Sequence, residues 1–461
     1  MKRILSAVLA LMLIMSFPAS AASSIRDVLN ALQDFANENL AENTQPGNGT
    51  LSEAIREGKE ISLMQQQHKA LLAGNIIDIS PDGATYILQD PEGGLCLYRN
   101  GRFSSISFNQ NRGVKDEYGL IDQIIRDFSM GRISAEGFTW SPDGRMAVYT
   151  NNYNLLITLQ FVYDLLILDV EKGEFFLGAT WPRMINKGGA SVAGACFDAA
   201  GENIYYSLYG KNDTTPTSLY RYNIASGENE RLTGNDGVAY GTGMFMTKDG
   251  KILGLNESMS SVPSVSMLEY FENNGSWKCT PHTIGTEEKR LSVHNMMFSA
   301  DKERGVMWAR ILTGKFDMAY WMLAFDMKAG SPDRIEAIMI PNHENQAVRM
   351  SISEAYEQLE KAAEENVYPL PYCNILNVAL SPNGEHALVL YREDGLYYKM
   401  ALIDTETLSV TPVNAPEAVL NDAAGYQNAL NIGFPAGIRW FTENEVVICT
   451  DKKPVLYTLR W

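Results

Sequence analysis

The sequence Phe138-Thr139-Trp140-Ser141-Pro142-Asp143-Gly144 has two close copies, Ile77-Asp78-Ile79-Ser80-Pro81-Asp82-Gly83 and Val378-Ala379-Leu380-Ser381-Pro382-Asn383-Gly384. In each copy an apolar run leads into a tight turn. Pro presets the first turn dihedral, Asp or Asn bonds its own backbone, and Gly accepts a positive φ. Each copy therefore predicts a β-strand followed by a hairpin turn.

Weaker copies become visible when the chain is aligned on one turn position, occupied by Asp82, Asp143, Ala200, Asp249, Asp301, Asn383 and Glu443. The residues three positions earlier are all apolar: Ile79, Trp140, Phe197, Met246, Phe298, Leu380 and Trp440. Those five positions earlier are apolar as well: Ile77, Phe138, Ala195, Met244, Met296, Val378 and Ile438. This spacing places both sets on one face of a strand, so the repeat is real.

Each turn is followed by further strand-like segments. The second strand of a unit is rich in β-branched and aromatic residues, as in residues 146–149 and 387–390. A third strand, such as residues 165–168, runs into a second tight turn and a fourth strand. Four antiparallel strands per unit predict the blades of a β-propeller; the turn-to-turn spacings are 61, 57, 49, 52, 82 and 60 residues.

Ser-Pro-Asp-Gly at 80–83 and 141–144, with Ser-Pro-Asn-Gly at 381–384, resembles the WD-like repeats of TolB-type propellers over residues 75–461. The resemblance implies an all-β propeller and leaves its function open, because the fold hosts enzymes, receptors and scaffolds. We expect seven four-stranded blades, with six or eight as alternatives. The last unit ends at its third strand, residues 455–459, so an N-terminal strand at residues 60–64 is expected to close the ring. Closure would bring Asp78 and Arg439 within pairing distance.

The N-terminus has the pattern of a signal peptide at residues 1–21: Lys2 and Arg3, an apolar core, and the cleavage site Ala19-Ser20-Ala21. An uncleaved leader acting as an anchor is the alternative. No later stretch reaches the roughly 20 apolar residues of a membrane span, so we expect a secreted or periplasmic protein. Residues 22–58 are expected to form an amphipathic helix, over 24–40, and a polar linker; the propeller occupies 59–461.

Composition excludes several functions. The net charge of -17 repels phosphate backbones, so no nucleic-acid partner is expected. The five cysteines form no C-x-x-C pair, and the histidines show no metal-ligand spacing. We therefore expect no metal and no cofactor. The oligomeric state is left open.

Insertions are expected on one face of the ring. Second-to-third and unit-to-unit connections are long and emerge on the same side, which we call the decorated face; the short turns form the plain face. Long loops on a rigid scaffold usually contain the ligand-binding site.

Helices are expected in the insertions at 120–128 and, beginning at Ser353, at 353–363; a third insertion spans 415–430. Candidate ligand-binding residues in the decorated-face loops are Asn152, Tyr153, Tyr209, Asn212, Arg310, Asp317, Tyr391, Arg392 and Tyr426.

Two functions remain. The preferred one is a binding module for a protein, a peptide or a glycan; the alternative is a propeller hydrolase or lyase with a site of carboxylates and a His at the channel mouth. No catalytic residue is assigned, because Gly-x-Ser-x-Gly is absent and Ser299-Ala300-Asp301-Lys302 lies on a repeat turn without its companion motifs. His343-Glu344 could join a site assembled across blades.

Overall fold

A computed structural model describes most of the chain from residue 49 onward. The described ranges are 49–65, 75–80, 83–89, 94–115, 138–155, 160–184, 190–210, 218–233, 244–256, 264–271, 276–284, 291–299, 301, 303–311, 319–327, 334–367, 370–417, 419–421, 438–449 and 454–461. The expected signal peptide, and the helices expected at 24–40 and 120–128, lie outside these ranges. Within them, no helix is long and apolar enough to cross a membrane.

The described secondary structure is almost entirely strand. The helical elements in these ranges are α1 (Leu51–Arg56), α2 (Ile352–Glu364) and a short helical segment at residues 417 and 419–421. The strands are β1 (Ile61–Gln65), β2 (Asn75–Ile79), β3 (Thr85–Gln89), β4 (Leu95–Arg99), β5 (Arg102–Ser105), β6 (Ser107–Gly113), β7 (Phe138–Trp140), β8 (Met146–Leu155), β9 (Gln160–Asp169), β10 (Glu174–Met184), β11 (Ala190–Phe197), β12 (Asn203–Gly210), β13 (Ser218–Asn223), β14 (Asn229–Arg231), β15 (Phe245–Met246), β16 (Ile252–Asn256), β17 (Ser264–Phe271), β18 (Ser276–Thr283), β19 (Leu291–Phe298), β20 (Arg304–Ile311), β21 (Ala319–Asp326), β22 (Ile335–Met339), β23 (Val348–Met350), β24 (Asn374–Leu380), β25 (His386–Glu393), β26 (Tyr397–Asp404), β27 (Val410–Asn414), β28 (Ile438–Thr442), β29 (Glu445–Cys449) and β30 (Pro454–Arg460).

These strands assemble into antiparallel units of four, which confirms the predicted repeat. The units are β2–β5, β7–β10, β11–β14, β15–β18, β19–β22, β24–β27, and β28–β30 completed by β1. The chain is therefore a β-propeller, as its turn motifs predicted. Three outer edges carry an extra strand: β6 pairs in parallel with β10, β23 pairs with β22, and β1 pairs in parallel with β27.

Each hydrophobic cluster lies between two consecutive units, as expected for sheets packed face to face around an axis. Leu166 of one unit, for example, packs with Ile87 of the preceding unit. The cluster of Ile79, Tyr86 and Leu88 with Val447 and Leu456 joins the first unit to the last, so the ring is closed. Of the fourteen aligned apolar residues, twelve are buried, and Trp140 and Phe298 are partly buried.

Closure occurs through the N-terminal strand, as predicted. Strand β1 pairs antiparallel with β30, with Leu63 opposite Leu459. Its other edge pairs in parallel with β27, where Ile61 lies opposite Val413. The last two units therefore share one eight-stranded sheet.

The tight turns are held by a buried hydroxyl that the turn motif alone does not explain. Ser141 is fully buried; its Oγ accepts from Met146 N–H at 2.9 Å and donates to Asp143 Oδ1 at 2.7 Å. Gly144 follows at φ 67°, a conformation that glycine adopts freely.

One alignment in the last unit was wrong. Glu443 does not take the role of Asp143, because Thr442 Oγ1 contacts Asn444 Oδ1 at 3.0 Å instead. A register shift between Trp440 and Thr442 moves the turn by one residue.

Helices α1 and α2 each begin with a capping box. In α1 the hydroxyl of Thr50 accepts from Glu53 N–H at 3.2 Å, within a segment expected to be linker. In α2 the N-cap is Ser351, which accepts from Glu354 N–H at 3.2 Å. The prediction that this helix begins at Ser353 was therefore wrong by two residues, since a Glu three positions after Ser351 completes the reciprocal cap.

Candidate functional site

The decorated face carries the longest described insertion, residues 340–373, between β22 and β24. It contains β23 and α2, and α2 buries Tyr356 and Leu359 in the cluster that also contains Leu323 and Met339. The plain face, by contrast, carries short turns such as residues 381–385. The insertion connects the decorated-face ends of β22 and β24, but its residues 345–349 also contact the plain-face turn at 405–409.

Several predicted ligand-binding residues lie on strands rather than in loops. Asn152 and Tyr153 belong to β8, where they pair with Tyr163 and Val162 of β9. The second strands run further toward the decorated face than their sequences suggested, because the β8–β9 ladder continues to Leu155.

Tyr209 and Arg310 are likewise strand residues, in β12 and β20. Tyr209 pairs with Ser191, and Arg310 pairs with Ser292 and Tyr320. Asn212, Asp317 and Tyr426 lie outside the described residues.

Tyr391 and Arg392 lie at the decorated-face end of β25, and Tyr391 lines a cavity of about 410 Å³. We call this cavity the Tyr398 groove. It is lined by His343, Glu344, Asn345, Tyr391, Glu393, Tyr398, Lys399, Met400, Pro412, Val413, Asn414, Ala415 and Leu420. Of the predicted ligand-binding residues, the described structure brings Tyr391 alone to the groove.

A polar cluster occupies one end of the groove. The Nε2 atom of His343 lies 2.9 Å from Asp394 Oδ2, and its Nδ1 atom lies 3.7 Å from Glu393 Oε2. Its backbone N–H donates to Glu393 Oε1 at 3.2 Å, and Lys399 Nζ bonds to the other oxygen of Glu393. Glu393 is therefore fully engaged by the insertion and by the neighbouring strand.

The electrostatics of this cluster follow from those contacts. Although burial opposes it, the bonds from Lys399 and His343 lower the pKa of Glu393, so its carboxylate stays charged. Burial raises the pKa of the nearby Cys373 thiol to about 12. Cys373 is thus a neutral thiol, and its Sγ lies 3.3 Å from Asn342 Oδ1.

Hydrogen bonds of residues that were not among the predicted ligand-binding residues hold the insertion beside the groove. Asn342 Oδ1 accepts from Asp394 N–H at 3.3 Å, and its Nδ2 donates to Leu370 O at 2.7 Å. His343 and Asp394 both have positive φ, at 64° and 51°. The available sequence signal was the pair His343-Glu344, but its partners in β25 are 50 residues away in the chain.

At the other end the groove is apolar, with Met400, Val413 and Leu420 in one hydrophobic cluster. An apolar wall beside a few convergent polar groups is the usual composition of a ligand site. Among the described residues, no group of three His, Cys, Asp or Glu side chains is arranged to hold a metal ion.

Several solved structures are similar to this chain at low sequence identity. No family model and no curated protein matches the sequence. The fold is similar to an oligogalacturonate lyase in complex with manganese, at 10% identity and a TM-score of 0.46, covering 87% of this chain and 90% of that one. It is similar to the Cps50 (Swd1) β-propeller domain of Myceliophteria thermophila, at 8% identity and 0.42, covering 86% and 98%. It is also similar to TolB from Acinetobacter baumannii, at 12% and 0.34, covering 80% and 85%.

Proposed function

We propose that this chain is an exported binding protein that takes a polypeptide ligand on the decorated face of its ring. The observation that carries the proposal is the Tyr398 groove, which combines an apolar wall with His343, Glu393 and Lys399 at the end of β25. The insertion after β22 meets the ends of β25 and β26 there, as expected for a ligand site built from loops on a rigid scaffold.

The proposal includes the organisation expected from the sequence. We propose seven blades, supported by the seven four-stranded units of the described strands and by the cluster joining the first and last of them. Residues 1–21 are proposed to be a cleaved signal peptide, 22–58 a helix and linker, and 59–461 the propeller. Mass spectrometry of the exported protein should find Ala22 at its N-terminus.

The alternative is a hydrolase or lyase, and one observation favours it. His343, Glu393 and Asp394 converge within hydrogen-bonding or ion-pairing distance. Glu393, however, is neutralised by Lys399, and the side chain of His343 is 67% exposed at the rim of the ring. Binding therefore remains the preferred function.

Selection from a random peptide library and from a glycan array, using the protein without residues 1–21, tests the proposal. Hydrogen exchange should show that a selected peptide protects the groove segments 343–345, 391–400 and 412–417. Protection limited to plain-face turns such as 141–145 and 381–385 would contradict it, as would ligands found on the glycan array alone. Turnover of a selected peptide or glycan would favour the enzyme.

A further inference from the structure

The backbone edge of β26 is unpaired where it enters the Tyr398 groove. Strand β26 begins at Tyr397, but its ladder with β27 begins only where Met400 lies opposite Val413. On its other side β26 is paired along its whole length with β25, from Tyr397 opposite Glu393. In the described structure, the segment 397–399 therefore has one neighbouring strand where the rest of β26 has two.

The register shows which backbone groups face the groove. Asp404 N–H donates to Ser409 O at 3.0 Å, so the backbone of Asp404 faces β27. Backbone groups alternate in direction along a strand, and β26 pairs with both neighbours without a register shift. Leu402, Met400 and Tyr398 therefore face the same side as Asp404. At Tyr398 this side opens into the groove.

The lining residues lie on both faces of the sheet. Tyr398 and Met400 belong to the cluster shared with the last unit, whereas Tyr391 belongs to the cluster shared with the β19–β22 unit. A cavity that spans both faces at the free end of a strand has room for another strand in the plane of the sheet. Peptide recognition by strand addition uses such edges.

The charged residues around the free edge of β26 determine which side chains a bound peptide strand should carry. The charge of Lys399 is compensated by Glu393. Glu344 is exposed on the groove wall and has no ion-pair partner among the described residues, and Glu60 lies beside the groove, where it accepts from Asn414 Nδ2 at 3.1 Å. The net charge of -17 adds a long-range attraction for cations.

We infer that the Tyr398 groove binds an extended basic peptide, which adds a short strand to the free edge of β26 beside Tyr398 and places a Lys or Arg near Glu344. This rests on the proposed function and specifies its ligand. The peptide residue opposite Tyr398 exchanges two backbone hydrogen bonds with it, and apolar side chains of the peptide contact Met400, Val413 and Leu420.

The test uses fluorescence anisotropy with labelled peptides of about eight residues, alternating Thr with Lys, Thr with Glu, or Thr with Gln. A fourth peptide is the Lys version with its central backbone nitrogens methylated. The Lys peptide should bind most tightly, and methylation should weaken it about tenfold or more, because hydrogen bonds are lost. Glu344→Gln should weaken binding about two- to fivefold, while Glu357→Gln, an exposed change on α2, should leave it unchanged.

Several results would overturn the inference. If the Glu or Gln peptide binds the groove as well as the Lys peptide, the charge assignment fails, although the proposed function stands. If methylation has no effect, strand addition fails. If the amide of Tyr398 is already protected from exchange in the free protein, a segment of this chain occupies the edge. If no peptide of this panel binds while a library-selected ligand protects another part of the decorated face, the inference fails and the proposed function stands.

Discussion

Arg439 in the first strand of the last unit forms an ion pair with Asp78 in the first strand of the first unit, 361 residues away in the chain. The side chain of Asp78 is fully buried, and Arg439 Nη2 also donates to Ile79 O at 3.0 Å. The two residues occupy equivalent positions, each directly before the aligned apolar residue Ile79 or Trp440. The ion pair therefore fastens the seam at which the ring closes.

Arg439→Met should destabilise the protein by about 2–4 kcal/mol, because it leaves the carboxylate of Asp78 buried without its partner. Urea unfolding monitored by Trp fluorescence measures this change. The double variant Asp78→Asn with Arg439→Met should recover part of the loss, since the buried charge is gone. If the double variant is as unstable as the sum of the single variants, Arg439 and Asp78 are not coupled.

Removing the buried turn hydroxyl should cost stability. Ser141→Ala should lower the free energy of unfolding by about 1–3 kcal/mol, because Met146 N–H is left without its acceptor in a buried site. Ser226→Ala removes a hydroxyl from an exposed turn and should cost at most about 0.5 kcal/mol. Equal effects of the two substitutions in thermal unfolding would contradict the proposed role of Ser141.

The closing strand should contribute to stability through its inward face. Leu63 is 4% exposed and Met64 is 46% exposed, although the two are neighbours on β1. Leu63→Ala should cost about 2–4 kcal/mol, whereas Met64→Ala should cost less than about 1 kcal/mol. Similar unfolding midpoints for both variants would show that β1 does not close the ring as described.

A buried histidine should make stability depend on pH. His386 is 2% exposed; its Nε2 lies 2.9 Å from Ser52 Oγ of α1, and its Nδ1 has no partner in the described structure. Burial lowers the pKa of His386, against smaller opposing effects of Asp404 and Glu385. Ser52 Oγ donates to Glu385 Oε2 at 2.6 Å, so it accepts from Nε2.

Because the folded pKa is lower than the unfolded value of about 6.5, the unfolded chain binds the proton more tightly. The stability that neutral His386 provides is present above that pH and is lost as the pH falls below it. Unfolding midpoints measured from about pH 8 to 5 should fall more steeply for the natural protein than for His386→Gln. Parallel curves for the two proteins would refute a role for His386.

The repeat could be predicted from the sequence because the tight turns and strands of a propeller blade depend on residues close together in the chain. Turn residues such as Pro142 and Gly144 act within a few positions of one another, and the apolar residues before them repeat at a fixed distance from the turn. The N-terminal closing strand could also be predicted, since a last unit with only three strands needs a fourth strand from elsewhere in the chain. The roles of Ser351 and Asn444 were assigned to Ser353 and Glu443 instead, because a helix cap and a register shift depend on backbone bonds that several nearby residues could make.

Local patterns in the sequence were enough to predict the four-stranded repeat, the closing strand near residues 60–64 and the approach of Asp78 to Arg439. The position of the Tyr398 groove, by contrast, depends on contacts that form only in the folded chain. His343 meets Glu393 and Asp394 only because the insertion after β22 folds back over the end of β25, and the edge of β26 is free only because its ladder with β27 begins at Met400. His343 and Glu393 are 50 residues apart in the chain, and no local pattern of charge or hydrophobicity encodes their contact.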